Sequence, residues 1–339
     1  MSRALLVNRA GPGVTVQDQG REGYLDQGHS PGGAADALAL AEGAALLGQP
    51  ASTAAIELAG MGGIFQAQGN LRIALTGAPM QASIEGEPIA WNASHPLYNG
   101  QKLTLGAALR GNYGYLHIGG GIATPPFLGS RSTHLVAHIG APLADGTTLP
   151  IGGDPGIDTG LTLDVVDRFS GGTIRIVPSV QTARFATAEL ERLQTTTFSR
   201  DARGNRMGAR MAFDGAPFVA QGQLNLLSEM VVPGDIQVTG DGTPFVLLGE
   251  CQTTGGYPRI GTVIPPDIPR VAQARAGDPL RFQFITRDQA LAIYRTAQSL
   301  LKALPQTVRP LIRNPHDIRD LLSYQLVDGM IKGDEEDSP

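Results

Sequence analysis

The chain is 339 residues long, 42% hydrophobic and 17% charged, with a net charge of −5. That length suggests two domains, the apolar fraction is enough for real cores, and no clustered basic face marks a nucleic-acid partner. A single cysteine, Cys251, rules out an intrachain disulfide and fits a reducing, cytoplasmic address, and no apolar run reads as a signal peptide or a membrane span.

Gly (45) and Pro (24) are abundant and aromatics are only 5%, a mixture that suits many short strands joined by tight turns. The first clear element is a helix over Ala34–Leu47, closed by Gly48. Strands are expected at Leu71–Thr76, Gln81–Ile84, Gln101–Leu105 and Gly114–Ile118, with Glu85-Gly86 as a tight turn. Pro125-Pro126 and Ile151–Gly160 read as loops. A second block opens with a strand at Thr173–Val177 and a polar helix over Thr182–Leu193. Strands return at Asp235–Val238, Thr243–Leu248 and Leu280–Ile285. Thr286 and Gln289 have the spacing of a helix capping box. A helical apolar stripe follows, Asn314-Pro315 starts a further helix, and GDEEDSP makes a disordered tail.

The densest chemical candidate is the run Gln252 to Gly261. Gly255 and Gly256 allow close backbone approach, while Gln252, Thr253 and Thr254 supply neutral donors and acceptors. Tyr257 is held extended before Pro258, and the Arg259 fork can take an anion. The alternative is a Gly-rich hairpin with a surface arginine. A second candidate is the Gln17–Tyr24 stretch, where Asp18 and Arg21 can pair within a turn, either to staple the loop or to orient Arg21 toward a carboxylate. Downstream, Ser30 to Asp36 enters the first helix, whose amides can receive an anion, although a plain loop-to-helix junction is the commoner case. The Asn205 to Arg210 stretch, with Arg206 and Arg210 beside Gly208, is a third anion candidate, although a strand edge with solvated arginines is the commoner case. His134 and His138 are four apart but have no third ligand, so no metal site is expected. Cys251 reads as a buried thiol. There is no GxxxxGK[ST] loop and no GxSxG elbow.

Taken in order, the Thr15–Tyr24 stretch, Ser30 to Asp36, Leu75-Thr76-Gly77-Ala78, the Gly129–Thr133 stretch, Arg206-Met207-Gly208 and above all Gln252 to Gly261 resemble the allophanate hydrolase subunit 2 family. The same family is also described as urea amidolyase-related or biotin-dependent carboxyltransferase, and it includes a component of bacterial 5-oxoprolinase. The resemblance spans residues 13–330. It implies a mainly β fold with several helices, built as two cyclophilin-like β-barrels. The barrels would occupy 1–170 and 171–285, followed by a helical segment 286–330 and a tail 331–339.

By the same resemblance the chain would be one component of an ATP-dependent amide or lactam hydrolase that turns 5-oxoproline into glutamate, active only with a smaller homologous subunit and a third chain. ATP would be bound here or by a partner. The alternatives are the carboxyltransferase part of a urea-carboxylase-like enzyme, with biotin on a separate chain, and a non-enzymatic antagonist of a kinase inhibitor. Gln252, Thr254, Tyr257 and Arg259 would be catalytic. Asp18, Arg21, Asp36, Arg206, Thr253, Gly255 and Gly256 would bind the small amide substrate. The sequence departs from the family pattern at Gly32, usually serine, at His134 and Asn205, usually aspartate, and at Ala209, commonly tyrosine.

Overall fold

A computed structural model describes residues 3–222 and 226–312. The chain is mainly β with four α-helices among the described residues: α1 (Ala37–Leu47), α2 (Thr187–Thr195), α3 (Ile268–Gln273) and α4 (Arg287–Thr307). Strands between residues 4 and 162, with Arg309–Pro310 added at one edge, form a six-stranded and a seven-stranded sheet. The two sheets share one core. Leu5, Val7 and Phe65 of the first meet Ile56, Leu58, Ile73, Leu75, Leu116 and Ile118 of the second. The strands of the second half close into a seven-stranded barrel, in the order Gly172–Val177, Arg259–Val263, Asp235–Val238, Pro244–Leu247, Gly208–Ala212, Phe198–Arg200, Pro279–Phe284. Alternation sets its faces: Ile236 and Val238 point into the barrel core, so Asp235 and Gln237 point outward.

α1 ties the two halves together. Asp36 caps its start by accepting from the Ala39 amide, and Gly48, with φ +64°, closes its end. Its Ala39 and Leu40 belong to the same apolar cluster as the barrel residues Ile174, Ile236 and Phe282. A helix packed on two sides is apolar around most of its circumference, as Ala37–Leu47 is.

The expected strands all form, with ends moved by at most three residues, and Glu85 (φ 51°) and Gly86 (φ 90°) make the expected turn. The Thr286/Gln289 capping box is present at the start of α4. One expectation is corrected. The helix over Thr182–Leu193 is broken into a 3-10 turn, Thr182–Arg184, and α2. Phe185 between them is extended, bridges to Ala220 and is buried in the barrel cluster, and that burial outweighs helical continuity. The helix expected from Asn314 and the tail lie outside the described residues, as does the 331–339 segment.

Candidate functional site

The sequence-nominated residues fall into two neighbouring clusters, joined by the short stretch 249–256. The first cluster lies in the seam between the two-sheet unit and the barrel. Gly32 donates its amide to the Gly249 carbonyl (2.8 Å), which brings the 30–36 segment against the barrel. Gly32 sits at φ +64°, and a Cβ there would come within 3.0 Å of the His134 ring. Two of the family departures, Gly32 and His134, are therefore in contact: the missing side chain at one leaves room for the imidazole at the other.

Arg206 stands at the centre of the seam. It donates to Glu57, to Glu250 and to the Gly33 carbonyl. Burial alone would lower its pKa, but the two carboxylates overcome that and raise it. Glu57 also accepts from the Tyr115 hydroxyl (2.7 Å) and the Ala35 amide (2.8 Å), and the same hydroxyl accepts from the Asp36 amide. Burial, then Glu57 and Asp36, push the Tyr115 phenol well above its usual pKa. Glu250 accepts as well from the Leu135 amide (3.0 Å).

Asp36 accepts from Arg168 (2.6 Å) and Gln273 (2.8 Å) besides capping α1. These contacts correct two expectations. The α1 N-terminus is filled by its own aspartate and is no anion seat. Arg206 is neutralised by the chain's own carboxylates, because a buried guanidinium needs counter-charges within reach.

The Asp18–Arg21 ion pair expected from the sequence is also corrected. Asp18 accepts from the Gly20 and Arg131 amides (2.9 and 2.6 Å) and from the hydroxyls of Ser130 and Ser132. Arg21 instead donates to the carbonyls of Phe127, Ser130 and Ser132. Both side chains grip the 127–132 loop from opposite polarities. Burial lowers the Arg21 pKa, with Asp18 opposing.

His134 and His138 do not converge. His134 is buried, whereas His138 is exposed in a left-handed turn (φ 54°). His134 Nδ1 accepts from the Ala137 amide (3.1 Å), so Nε2 carries the proton and donates to Ser30 Oγ (2.9 Å). Burial lowers the pKa of this ring, Glu250 opposes, and His29, Arg206 and Arg21 add to the effect of burial. His29 stands edge-on to it, with centroids 4.9 Å apart.

The second cluster lies on the outer face of the barrel. Thr254–Gly255 pairs with Glu229–Met230 as a two-stranded ribbon over Asp235, Gln237 and Arg259. Arg259 does not offer itself to an outside anion. It donates to Glu229 (2.6 Å), Asp235 (3.3 Å) and the Met230 carbonyl (2.9 Å), and so pins the ribbon down. Gln252 donates to Gln237 (2.9 Å), Thr253 accepts the Val231 amide through its carbonyl, and Thr254 and Tyr257 are exposed. Cys251 is buried, and burial, then Asp235, pushes its thiol up to about 12, which leaves it unreactive as a nucleophile.

Chemistry needs groups with spare hydrogen-bonding capacity. Among the described residues the buried side-chain atoms without a partner are Gln17 Oε1, Arg21 Nη1, His29 Nε2, Asn92 Oδ1 and Gln237 Nε2. Three of these five, on Arg21, His29 and Gln237, border the two clusters. Sequence reading missed His29, Glu57, Tyr115, Arg168, Gln237, Glu250 and Gln273. Glu57 carried a visible signal: a carboxylate inside the apolar strand Ala55–Ala59 must find a buried partner.

Compared with known proteins, residues 27–284 match the family described as carboxyltransferase domain, subdomain A and B. A 5-oxoprolinase subunit of Escherichia coli (strain K12) is 34% identical over 307 residues, 88% of this chain and 97% of that protein. The crystal structure of TTHA0988 is similar with a TM-score of 0.76 at 31% identity, covering 83% of this chain and 56% of that one. The K. lactis urea amidolyase shares the fold, with a TM-score of 0.78 at 21% identity, over 92% of this chain and 21% of its own length. This chain thus spans about half of the first of these solved structures and about a fifth of the second.

Proposed function

Because this chain belongs to the carboxyltransferase-domain family, we propose that it is one subunit of a multi-subunit, ATP-dependent enzyme that opens an amide or lactam, with 5-oxoproline as substrate and glutamate as product. The observation that carries this reading is the end-to-end match with a 5-oxoprolinase subunit, against a match to only a fraction of urea amidolyase. The substrate would lie where the 249–256 stretch leaves the seam for the barrel ribbon. There Gln252, Thr253, Thr254, Gly256 and Tyr257 offer neutral hydrogen bonds and an exposed edge.

Arg206 and Arg259 act in this reading as positioning residues that hold Glu250 and the ribbon in place. Neither fits a polyphosphate, since each is already matched by two carboxylates of the chain, so no step is routed through ATP on these side chains. What the site supplies is orientation of a planar amide, a positioning effect that can be worth several powers of ten in rate. A cytoplasmic setting with a smaller homologous subunit and a third chain belongs to the same proposal.

The test is ATP turnover by the chain co-expressed with the products of adjacent genes, with 5-oxoproline or urea offered in turn. Turnover with 5-oxoproline that ignores avidin supports the reading. Avidin-sensitive turnover with urea replaces it with biotin-dependent carboxyl transfer. A stable complex silent on every amide would leave only a regulatory role.

A further inference from the structure

Among the described residues, Gln237 is the one buried polar side chain of the barrel's outer face whose hydrogen bonds do not close. It is 3% exposed, on a strand whose alternate residues fill the barrel. Its Oε1 accepts from Gln252 Nε2 at 2.9 Å, while its own Nε2, with two N–H groups, has no acceptor. Its neighbour on that face, Asp235, binds Arg259, the Thr262 hydroxyl (2.7 Å) and the Val232 amide (3.1 Å) and makes no hydrogen bond to it. Native structures rarely leave such a donor idle, and an orphan of this kind calls for an explanation.

The surroundings indicate what would satisfy it. A Cβ on Gly255 would lie 2.3 Å from Gln237 Nε2 and 3.5 Å from Gln252 Nε2, so both amide nitrogens converge on the one ribbon residue without a side chain. The ribbon above is only two residue pairs long, Glu229 with Gly255 and Met230 with Thr254, and lifting its 254–256 side breaks few backbone bonds. Gly256, exposed Thr254 and exposed Tyr257 border that side.

The donors are neutral, and the carboxylates of Asp235 and Glu229 stand close by on Arg259. An incoming carboxylate or phosphate would be repelled there, whereas a neutral carbonyl oxygen would not.

We propose that Gln237 and Gln252, roofed by Gly255, form a carbonyl-recognition subsite that takes the oxygen of an amide, lactam or ureido group. This deepens, and rests on, the reading of the chain as part of an amide-processing enzyme. When the ribbon lifts, the ligand oxygen accepts from Gln237 Nε2, and the Gln252–Gln237 hydrogen bond holds that amide in the donating orientation. Gly255 is required because any side chain would fill the space.

Two measurements test this. In the complex assembled with its partner subunits, Gln237→Met removes the donors at nearly constant volume and Gly255→Ala plugs the cradle. Each should lower kcat/KM for 5-oxoproline about tenfold or more, the worth of one lost hydrogen bond from a buried group, while the complex still assembles. In the full-length chain labelled with 15N-glutamine, the side-chain NH2 signal absent from Gln237→Met should shift on adding 5-oxoproline or 2-pyrrolidinone, and Gly255→Ala should suppress the shift. A wild-type kcat/KM in an active Gln237→Met complex, or a Gln237 signal unmoved at saturating ligand, overturns the subsite and leaves the hydrolase reading intact. A complex that turns over no amide while the Gln237 signal still moves with 2-pyrrolidinone upholds the subsite and removes the hydrolase reading instead.

Discussion

Arg206 shows how one residue fixes a seam. Its guanidinium serves Glu57 from the sheets and Glu250 from the barrel at once, all three nearly sealed from water. Removing one partner of such a cluster leaves charge buried without compensation, which costs about 3–5 kcal/mol, far more than the roughly 0–1 kcal/mol of an exposed pair. Arg206→Met should therefore lower the urea midpoint of unfolding sharply, and Arg206→Lys, which keeps the charge but not the fork, should fall between. Equal midpoints for Arg206→Met and wild type would contradict this placement of the charge.

His117 carries the opposite risk. Fully buried, it donates from Nε2 to the Thr76 hydroxyl, which itself donates to the Ala39 carbonyl, and burial holds its pKa down at about 3. Its pKa in the unfolded chain is near 6.5. A depressed folded pKa gives stability that is complete above about pH 6.5 and is lost as the pH falls toward 3. The slope for this one group is up to about 1.4 kcal/mol per pH unit. Urea titrations at pH 7, 5.5 and 4.5 should show a steeper loss for wild type than for His117→Gln, and parallel losses would refute it. At this scale the sequence displayed the candidate arginines but not their partners. Arg206 and Glu57 are 149 positions apart, and no local spacing announces such a pair.

At the scale of the element, α1 rests on the seven-stranded sheet through a glycine. A Cβ at Gly43 would lie 2.2 Å from the His117 ring, and that ring is locked by Thr76. Two effects compete on Gly43→Ala. Helix propensity favours alanine by about 1 kcal/mol, while overpacking a closed core costs about 1–3 kcal/mol. The contact is too short for a small adjustment, so the net effect should be destabilising, and it should shrink when His117→Ala is added. Thermal midpoints of the two single variants and the double variant give the coupling, and a stabilised Gly43→Ala would refute the close approach. Elements of this kind were legible where periodicity or capping marks them, as with α1, the Glu85-Gly86 turn and the capping box of α4. The Thr182–Leu193 helix misled because its break is imposed by Phe185 reaching the barrel core, a demand made by distant residues.

For the whole molecule, the question is whether the two-sheet unit and the barrel unfold as one body. The barrel was legible only as a count of short strands, since closure depends on pairings such as Gly172 with Leu280, more than a hundred positions apart. The junction is legible now in Gln273, the last residue of α3 and fully buried. Its Oε1 accepts from the Asn112 and Tyr113 amides (2.9 Å each), and its Nε2 donates to the Tyr113 carbonyl and to Asp36 (2.8 Å each). One barrel side chain thus closes the edge of a central strand of the sheets and also holds the aspartate that caps α1.

Gln273→Leu keeps the volume but strands the two amides, each costing about 1–3 kcal/mol when buried without a partner, and takes one donor from the Tyr113 carbonyl and from Asp36, which keep the Ala78 amide and Arg168. The loss falls on the junction rather than on either core, so it should uncouple the halves before it unfolds them. Trp91, the only tryptophan, packs against the core of the two sheets and reports that unit alone, whereas far-ultraviolet dichroism reports both. In wild type the two signals should trace one urea transition, and in Gln273→Leu they should separate. Coincident curves in the variant would mean that Arg206 and its carboxylates, with the apolar packing of α1 against the barrel, are enough to join the halves without Gln273.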